Sequence, residues 1–413
     1  MAKKERVRVI AWSLVALASG LGMNAYFYSL QGAKGLYFWN QTGLFRTLLA
    51  APLIPLSIAL LTFPLEKLGT RIPAKTGRGI SLVLSFLVIL GSFGLTGFFI
   101  AKPRMGALMQ VRLNLVNPAE ALKSISASGS QADQGSKPGV EPRLRLSFSS
   151  DPHWGIETAN PQARMDILAS VAEHKPDLFF MLGDTVETGS NSAEWNQALM
   201  DLSAIIPKVP LRPLMGNHDA LFGGQYLFKK AFFPAGFSSD SASPYYYSMR
   251  SDAATFLVLN LPWGTEELKG AQEKWIKATL EAADKSKPII VLSHSFFYAS
   301  GYDDPELDKP WYDHYQNIPA LSPLFEQHGV DLVISGHNHY QELLEHKGVH
   351  YAVVGSMGGK PDPAPSYVSP ASIWIAVGTY GRLDVDIYPD VLGLTFRDAD
   401  GDPLHEKRIS LRP

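Results

Sequence analysis

The sequence predicts an N-terminal three-helix transmembrane segment followed by an α/β domain. Three observations predict it. The first hundred residues hold three long apolar runs without charge, a serine- and glycine-rich stretch follows, and beyond Pro142 strand-like and helix-like segments alternate. At 413 residues the chain is also longer than one average domain.

The apolar runs extend from Val9 to Tyr28, Thr47 to Pro64 and Ile80 to Ile100. Each approaches the ~20 residues needed to cross a bilayer core as a helix, so 1–105 reads as an anchor with spans at about 9–28, 47–64 and 80–100. Pro52, Pro55 and the glycines are tolerated in lipid-spanning helices. The first run also has the basic start and the small residues, Ala18 and Ser19, of a cleavable signal peptide. Lys3, Lys4, Arg6 and Arg8 precede the first run, and Lys67, Arg71, Lys75 and Arg78 lie between the second and third. The first connecting loop has only Lys34 and Arg46. The positive-inside rule then puts the chain beyond the third span on the periplasmic or extracellular side of a cell (inner) membrane, in a multi-pass arrangement with the lipid bilayer as partner. No ionisable residue lies inside the runs, which argues for an anchor over a transporter.

Composition narrows the chemistry. A formal charge of −2 gives no broad basic surface, so nucleic acid is not an expected partner. The absence of cysteine excludes disulfides, thiolate zinc sites and cysteine nucleophiles.

Residues 106–142 read as a linker, with Ser124, Ser126, Ser128, Gly129, Ser130, Gly135 and Ser136 and no apolar periodicity. The domain, 143–413, opens with Leu144, Leu146 and Phe148 alternating with polar residues, a strand that ends at Ser150 and Asp151. A helix comes after Pro161, with Met165, Leu168, Ala169 and Ala172 at helical spacing. Strands are then expected at 178–182, into Leu214 and Met215, and at 256–260, 289–292 and 332–335, with helices near 193–202, 272–282 and 323–328. After Tyr340 the chain is strand-rich, at 349–354, 373–377 and 383–388, as a second sheet or a mixed edge would be.

Five short clusters stand at the ends of these strands, where open α/β sheets place their ligand sites. They are Asp151 with His153; Gly183 with Asp184; Gly216, Asn217, His218 and Asp219; His294; and Gly336, His337, Asn338 and His339. Carboxylate, imidazole and amide oxygen form a mixed donor set suited to Mn, Fe, Zn or similar divalent ions. Any one cluster alone reads as a hydrogen-bonded structural residue. All five in this order, each after an apolar strand, are hard to explain as packing.

The pattern D-x-H, GD, GNH[DE], H and GHxH is present as DPHWG, GDTVE, GNHD, LSHSFF and GHNHY. In it the chain resembles the calcineurin-like metallophosphoesterase superfamily over residues 143 to about 355. The resemblance implies a pair of mixed β-sheets sandwiched between helices and two divalent metal ions. Carried over by motif position, it implies that Asp151, His153 and His339 hold one ion, that Asn217, His294 and His337 hold the other, and that Asp184 bridges them. His218 would lie beside the leaving group, with Asp219 as its orienting partner. The expected reaction is hydrolysis of phosphomonoesters or phosphodiesters by a metal-bridging hydroxide, which is formed near neutral pH between two close cations. The substrate is then a nucleotide or small phosphoester, or a lipid-linked phosphate or pyrophosphate of the outer leaflet. The contrary expectation, a non-catalytic binding module on the same fold, is disfavoured because no expected ligand and no acid histidine is missing.

Purple acid phosphatases carry a tyrosine ligand three residues after the bridging aspartate. Here that position is Glu187, so no tyrosinate-bound ferric site is expected. Of the histidines outside the clusters, His174, His314, His328, His346 and His350 read as surface or helix-end residues. The segment from Phe296 to Gln316 is long for a plain connection and comes directly after an expected ligand, as substrate-selecting loops do, and it reads equally well as a structural excursion packed on the domain.

Overall fold

The computed structural model describes residues 101–102, 104–118, 141–262, 268, 270–304, 309–311 and 316–411. The chain divides into two compact units, Met1–Met105 with Leu221–Gly223, and Gly106–Ala220 with Gly224–Pro413. The second contains both large sheets and the helices that cover them.

Two seven-stranded mixed sheets form its centre. The first runs in the order β1 (Asn114–Leu115), β4 (Pro210–Pro213), β3 (Leu178–Met181), β2 (Leu144–Ser149), β14 (Gly381–Ile387), β15 (Val391–Asp398) and β16 (Pro403–Ser410). Its first four strands are parallel, and the C-terminal three join antiparallel at β2. The second runs β13 (Ser372–Ala376), β11 (Gln341–His346), β12 (Val349–Val354), β10 (Leu332–Ser335), β7 (Ile289–Ser293), β6 (Thr255–Val258) and β5 (Tyr247–Arg250). Its parallel centre is β12, β10, β7 and β6. A two-stranded ribbon, β8 (Tyr302–Asp304) with β9 (Lys309–Trp311), lies within the long segment after His294.

The sheets pack face to face through Leu146, Phe148 and Phe180 on one side and Phe256, Val258, Ile290, Leu292 and Ile334 on the other. Full burial of each such side chain contributes about 1.5–3 kcal/mol. Alternate residues point outward. Phe179, Met181 and Leu211 meet α1 (Pro161–His174), α2 (Ser192–Ile205) and α4 (Gln225–Phe232), the last reached after a single helical turn, α3 (Asn217–Ala220). On the far side Leu257, Val291 and Val333 meet α5 (Ala271–Glu281) and α6 (Asn317–His328). The central strands are therefore buried on both faces, which is why they read as unbroken apolar runs. Asn160 starts α1, its side chain accepting from the Ala163 N–H at 3.1 Å with Pro161 in the first turn. Lys175 ends it in a left-handed conformation.

The expectation of a three-helix transmembrane segment is corrected. No helix among the described residues is long and apolar enough to cross a membrane. The longest, α1 and α2, have 14 residues each, roughly 21 Å at 1.5 Å per residue against a hydrocarbon core of about 30 Å. The multi-pass location in a cell membrane, the bilayer contact and the periplasmic or extracellular placement fall with that expectation. The runs at 9–28, 47–64 and 80–100 lie outside the described residues.

Part of the expected linker belongs to the folded unit. Leu108, Val111, Leu113 and Leu115 pack against the helix-side core of the first sheet, and β1 adds a strand to the edge of β4. The Met109 N–H donates to Asn196 Oδ1 at 2.8 Å, and Asn114 Nδ2 donates to the Lys208 carbonyl at 3.0 Å. Residues 119–140 of that linker lie outside the described residues.

Candidate metal centre

Strands β2, β3 and β4 are parallel neighbours in one sheet, as β7 and β10 are in the other, and each of the five clusters stands just past the C-terminal end of one of these strands. Asp151, His153, Asp184 and His337 have positive φ values of 58°, 45°, 51° and 72°. Such backbone is costly for residues other than glycine and concentrates at functional sites. Gly216 is needed for close approach, since a Cβ there would lie 2.1 Å from Asp184 Oδ1.

One group of donor atoms comprises Asp151, His153 and His339. Asp151 Oδ1 lies 3.6 Å from His339 Nε2 and 3.9 Å from His153 Nε2. A second comprises Asp184, His294 and His337, joined by Asn217. Asn217 Oδ1 lies 2.9 Å from His294 Nε2 and 3.0 Å from His337 Nδ1, and Asp184 Oδ2 lies 3.4 Å from His294 Nε2. Asp184 Oδ2 is also 3.7 Å from His153 Nε2, so this carboxylate faces both groups.

The outward atoms of these residues are held by the fold. His294 Nδ1 donates to the Leu182 carbonyl at 2.7 Å and His339 Nδ1 to the Lys360 carbonyl at 2.7 Å. The Asp151 Oδ2 atom accepts from the His337 N–H at 3.0 Å, and Asp184 Oδ1 from the His218 N–H at 2.8 Å. The inward atoms are different. Asp151 Oδ1 and His153 Nε2 are buried with no hydrogen-bond partner. Buried polar atoms are rarely left unpaired, and lone pairs of oxygen and imidazole nitrogen converging in this way fit divalent cations.

Charges obey the same geometry. Burial disfavours the charged rings of His294 and His339, but Asp184 acting on the first and Asp151 on the second raise both to about 9. Burial works against the Asp184 carboxylate too, and His294 and His218 outweigh it, holding the group well below the usual carboxylate range.

His218 and Asp219 come after Asn217 on α3, and the structure separates their tasks. The Asp219 carboxylate accepts from the backbone N–H groups of Gly216 at 3.0 Å and Val186 at 3.1 Å, and burial with Asp184 nearby raises it to about 7. It braces two loops. The His218 ring instead meets Glu187: its Nδ1 lies 2.9 Å from the Glu187 carbonyl and 3.4 Å from Oε2. Glu187 Oε2 also lies 2.9 Å from His153 Nδ1, so one carboxylate touches two rings. These contacts account for His153, Glu187 and His218, a third trio at metal-ligand spacing, as a hydrogen-bonded unit.

The residues around this centre match the family model described as calcineurin-like phosphoesterase from 144 to 341. The chain carries a calcineurin-like phosphoesterase domain. A curated purple acid phosphatase from Glycine max is 29% identical over 158 residues, 36% of this chain and 30% of that protein. A solved purple acid phosphatase from yellow lupin (Lupinus luteus) seeds has a TM-score of 0.54 at 17% identity, covering 66% of this chain and 54% of that one. The chain thus spans about a third to a half of these relatives' lengths. At that identity the lupin structure shows a shared fold.

Two features of the calcineurin-like site escaped the sequence. Glu187 carried a signal, its place three residues after Asp184 in GDTVE. Ser356 to Asp362 carried almost none, being mostly glycine, serine and proline. Yet the Gly359 N–H donates to the Asp151 carbonyl at 2.8 Å and the His339 N–H to Asp362 Oδ2 at 2.8 Å, tying both loops of the first donor group together.

Proposed function

We propose that this chain hydrolyses phosphomonoesters or phosphodiesters at a two-metal centre. The observation that carries the reading is the placement of Asp184 between two convergent donor groups. Asp151, His153 and His339 would hold one divalent ion, Asn217, His294 and His337 the other, and Asp184 would serve both. When bound, the ions would polarise the phosphoryl group and acidify the attacking water. Asp151 and Asp184 are the only anions in that set, so the loaded site attracts a phosphate group. His218 is the proton donor for the leaving ester oxygen. Its Nδ1 is engaged by Glu187, so Nε2 is the ring atom that would make this donation.

The test is turnover by the full chain, stripped of metal and refilled with Mn, Zn, Fe or Mg, on a chromogenic monoester and a diester. Metal-dependent hydrolysis that disappears in Asp184→Ala is expected. Equal turnover by wild type and Asp184→Ala would sink the two-metal reading. Stoichiometric metal binding without hydrolysis would favour a binding module on the same fold.

A further inference from the structure

One residue of the first donor group is less enclosed than the others. The His339 side chain is 18% exposed, against 6% for His153 and 0% for Asp151. A ring at the mouth of a site is kept in place by its hydrogen bonds more than by packing.

Three of those bonds come from one short segment. His339 Nδ1 donates to the Lys360 carbonyl at 2.7 Å, the His339 N–H donates to Asp362 Oδ2 at 2.8 Å, and the His339 carbonyl accepts from the Asp362 N–H at 3.1 Å. The first bond leaves Nε2 facing Asp151 Oδ1, and the other two fix the backbone that carries the ring. Pro361, between the two anchoring residues, restricts Lys360 to extended conformations.

The same segment reaches the rest of the group. The Gly359 N–H donates to the Asp151 carbonyl at 2.8 Å, and the buried Ser356 hydroxyl lies 3.0 Å from that carbonyl and 2.8 Å from the Gly359 carbonyl. Gly359 is pressed against both rings, since a Cβ there would meet His339 Cε1 at 2.6 Å and His153 Cδ2 at 2.7 Å. Residues 356–362 thus touch Asp151, His153 and His339 without contributing to any of the donor groups. They also lie beyond residue 341, where the match to the family model ends. In the second group His294 Nδ1 is held instead by the Leu182 carbonyl, beside Asp184.

We propose that Asp362 is a positioning residue for the ion of the first donor group: as the end of a strap from Ser356 to Asp362, it holds His339 against Asp151 and sets the affinity of that ion and not of the second. The inference rests on the two-metal reading above. Partners that orient a ligating histidine are worth about 10–100-fold in metal affinity.

The test reads Mn binding alone, by calorimetry on the full chain, in two backgrounds. Asn217→Ala removes a ligand of the second ion and leaves the first to be titrated, and His339→Ala does the reverse. Adding Asp362→Ala to Asn217→Ala is expected to weaken the remaining ion about 10–100-fold, whereas adding it to His339→Ala should change affinity by less than about twofold. Asp362→Asn, which keeps an oxygen for the His339 N–H, should recover most of the loss. Equal weakening in both backgrounds would mark a general effect on the fold and overturn the proposal, as would no weakening in either, and in both cases the two-metal reading stands. A wild type that takes up fewer than two Mn ions overturns both.

Discussion

One carboxylate, Glu187, holds the imidazoles of two residues with different tasks, His153 in a donor group and His218 beside it. Burial would push that carboxylate up, yet the two rings hold it down at about 2, so it is an anion throughout the physiological range. Alanine at His218 should therefore leave metal content intact and lower kcat by roughly 10²–10⁴-fold, most for esters with poor leaving groups. Atomic emission with a series of aryl phosphates checks this, and loss of metal along with rate would reassign His218 to structure. The expected ligands were legible because each is a chemically distinctive side chain directly after an apolar strand. Asp219 was expected to orient His218 from its adjacency in the sequence. Consecutive residues of a helical turn do not face each other, and Asp219 turns inward to backbone amides instead.

Among the elements, the C-terminal strands are joined to the front of the domain by charge. Asp384 on β14 lies 3.0 Å from Arg382 Nε and 2.6 Å from Arg397 Nε, and accepts from Ser147 Oγ on β2 at 2.6 Å. Burial raises this carboxyl, but Arg382 and then His174 outweigh it and hold it below the ordinary range. A depressed folded-state pKa means that this stabilisation is complete above the unfolded carboxyl's pKa and is lost as pH falls through the lower folded value. Asp384→Asn should cost roughly 3–5 kcal/mol at neutral pH by leaving the buried Arg382 and the partly buried Arg397 without an anion. The deficit should shrink as acid titrates Asp384 in the wild type. Urea unfolding at several pH values measures it, and a deficit independent of pH would show that the loss is packing alone. The central strands and most helices were legible from apolar runs and spacing. Helix α6 begins at Asn317, before the expected 323, because Pro323 reads as a start but sits inside it. The strand β16 was invisible, since Pro403 to Ser410 is mostly polar and exposed at a sheet edge. The three long apolar runs showed length and lack of charge, which do not by themselves make a spanning helix.

For the whole molecule, each donor group draws on both sheets: Asp151 and His153 with His339, and Asp184 with His294 and His337. Metal binding should therefore clamp one sheet to the other, adding about 2.7 kcal/mol at about 100 times Kd. Scanning calorimetry should show the melting temperature of the full chain rising on metal loading, with the rise reduced in Asp184→Ala. An unchanged melting temperature at stoichiometric metal would mean that the site contributes nothing to sheet docking. The strand order also sets a timetable for the ribosome. β2 is made early, but its second neighbour in the sheet is β14, whose residues begin at Gly381. At about 5–20 residues per second, the nascent chain carries an open β2 edge for some ten to fifty seconds. That interval is when chaperones and misfolding compete for it.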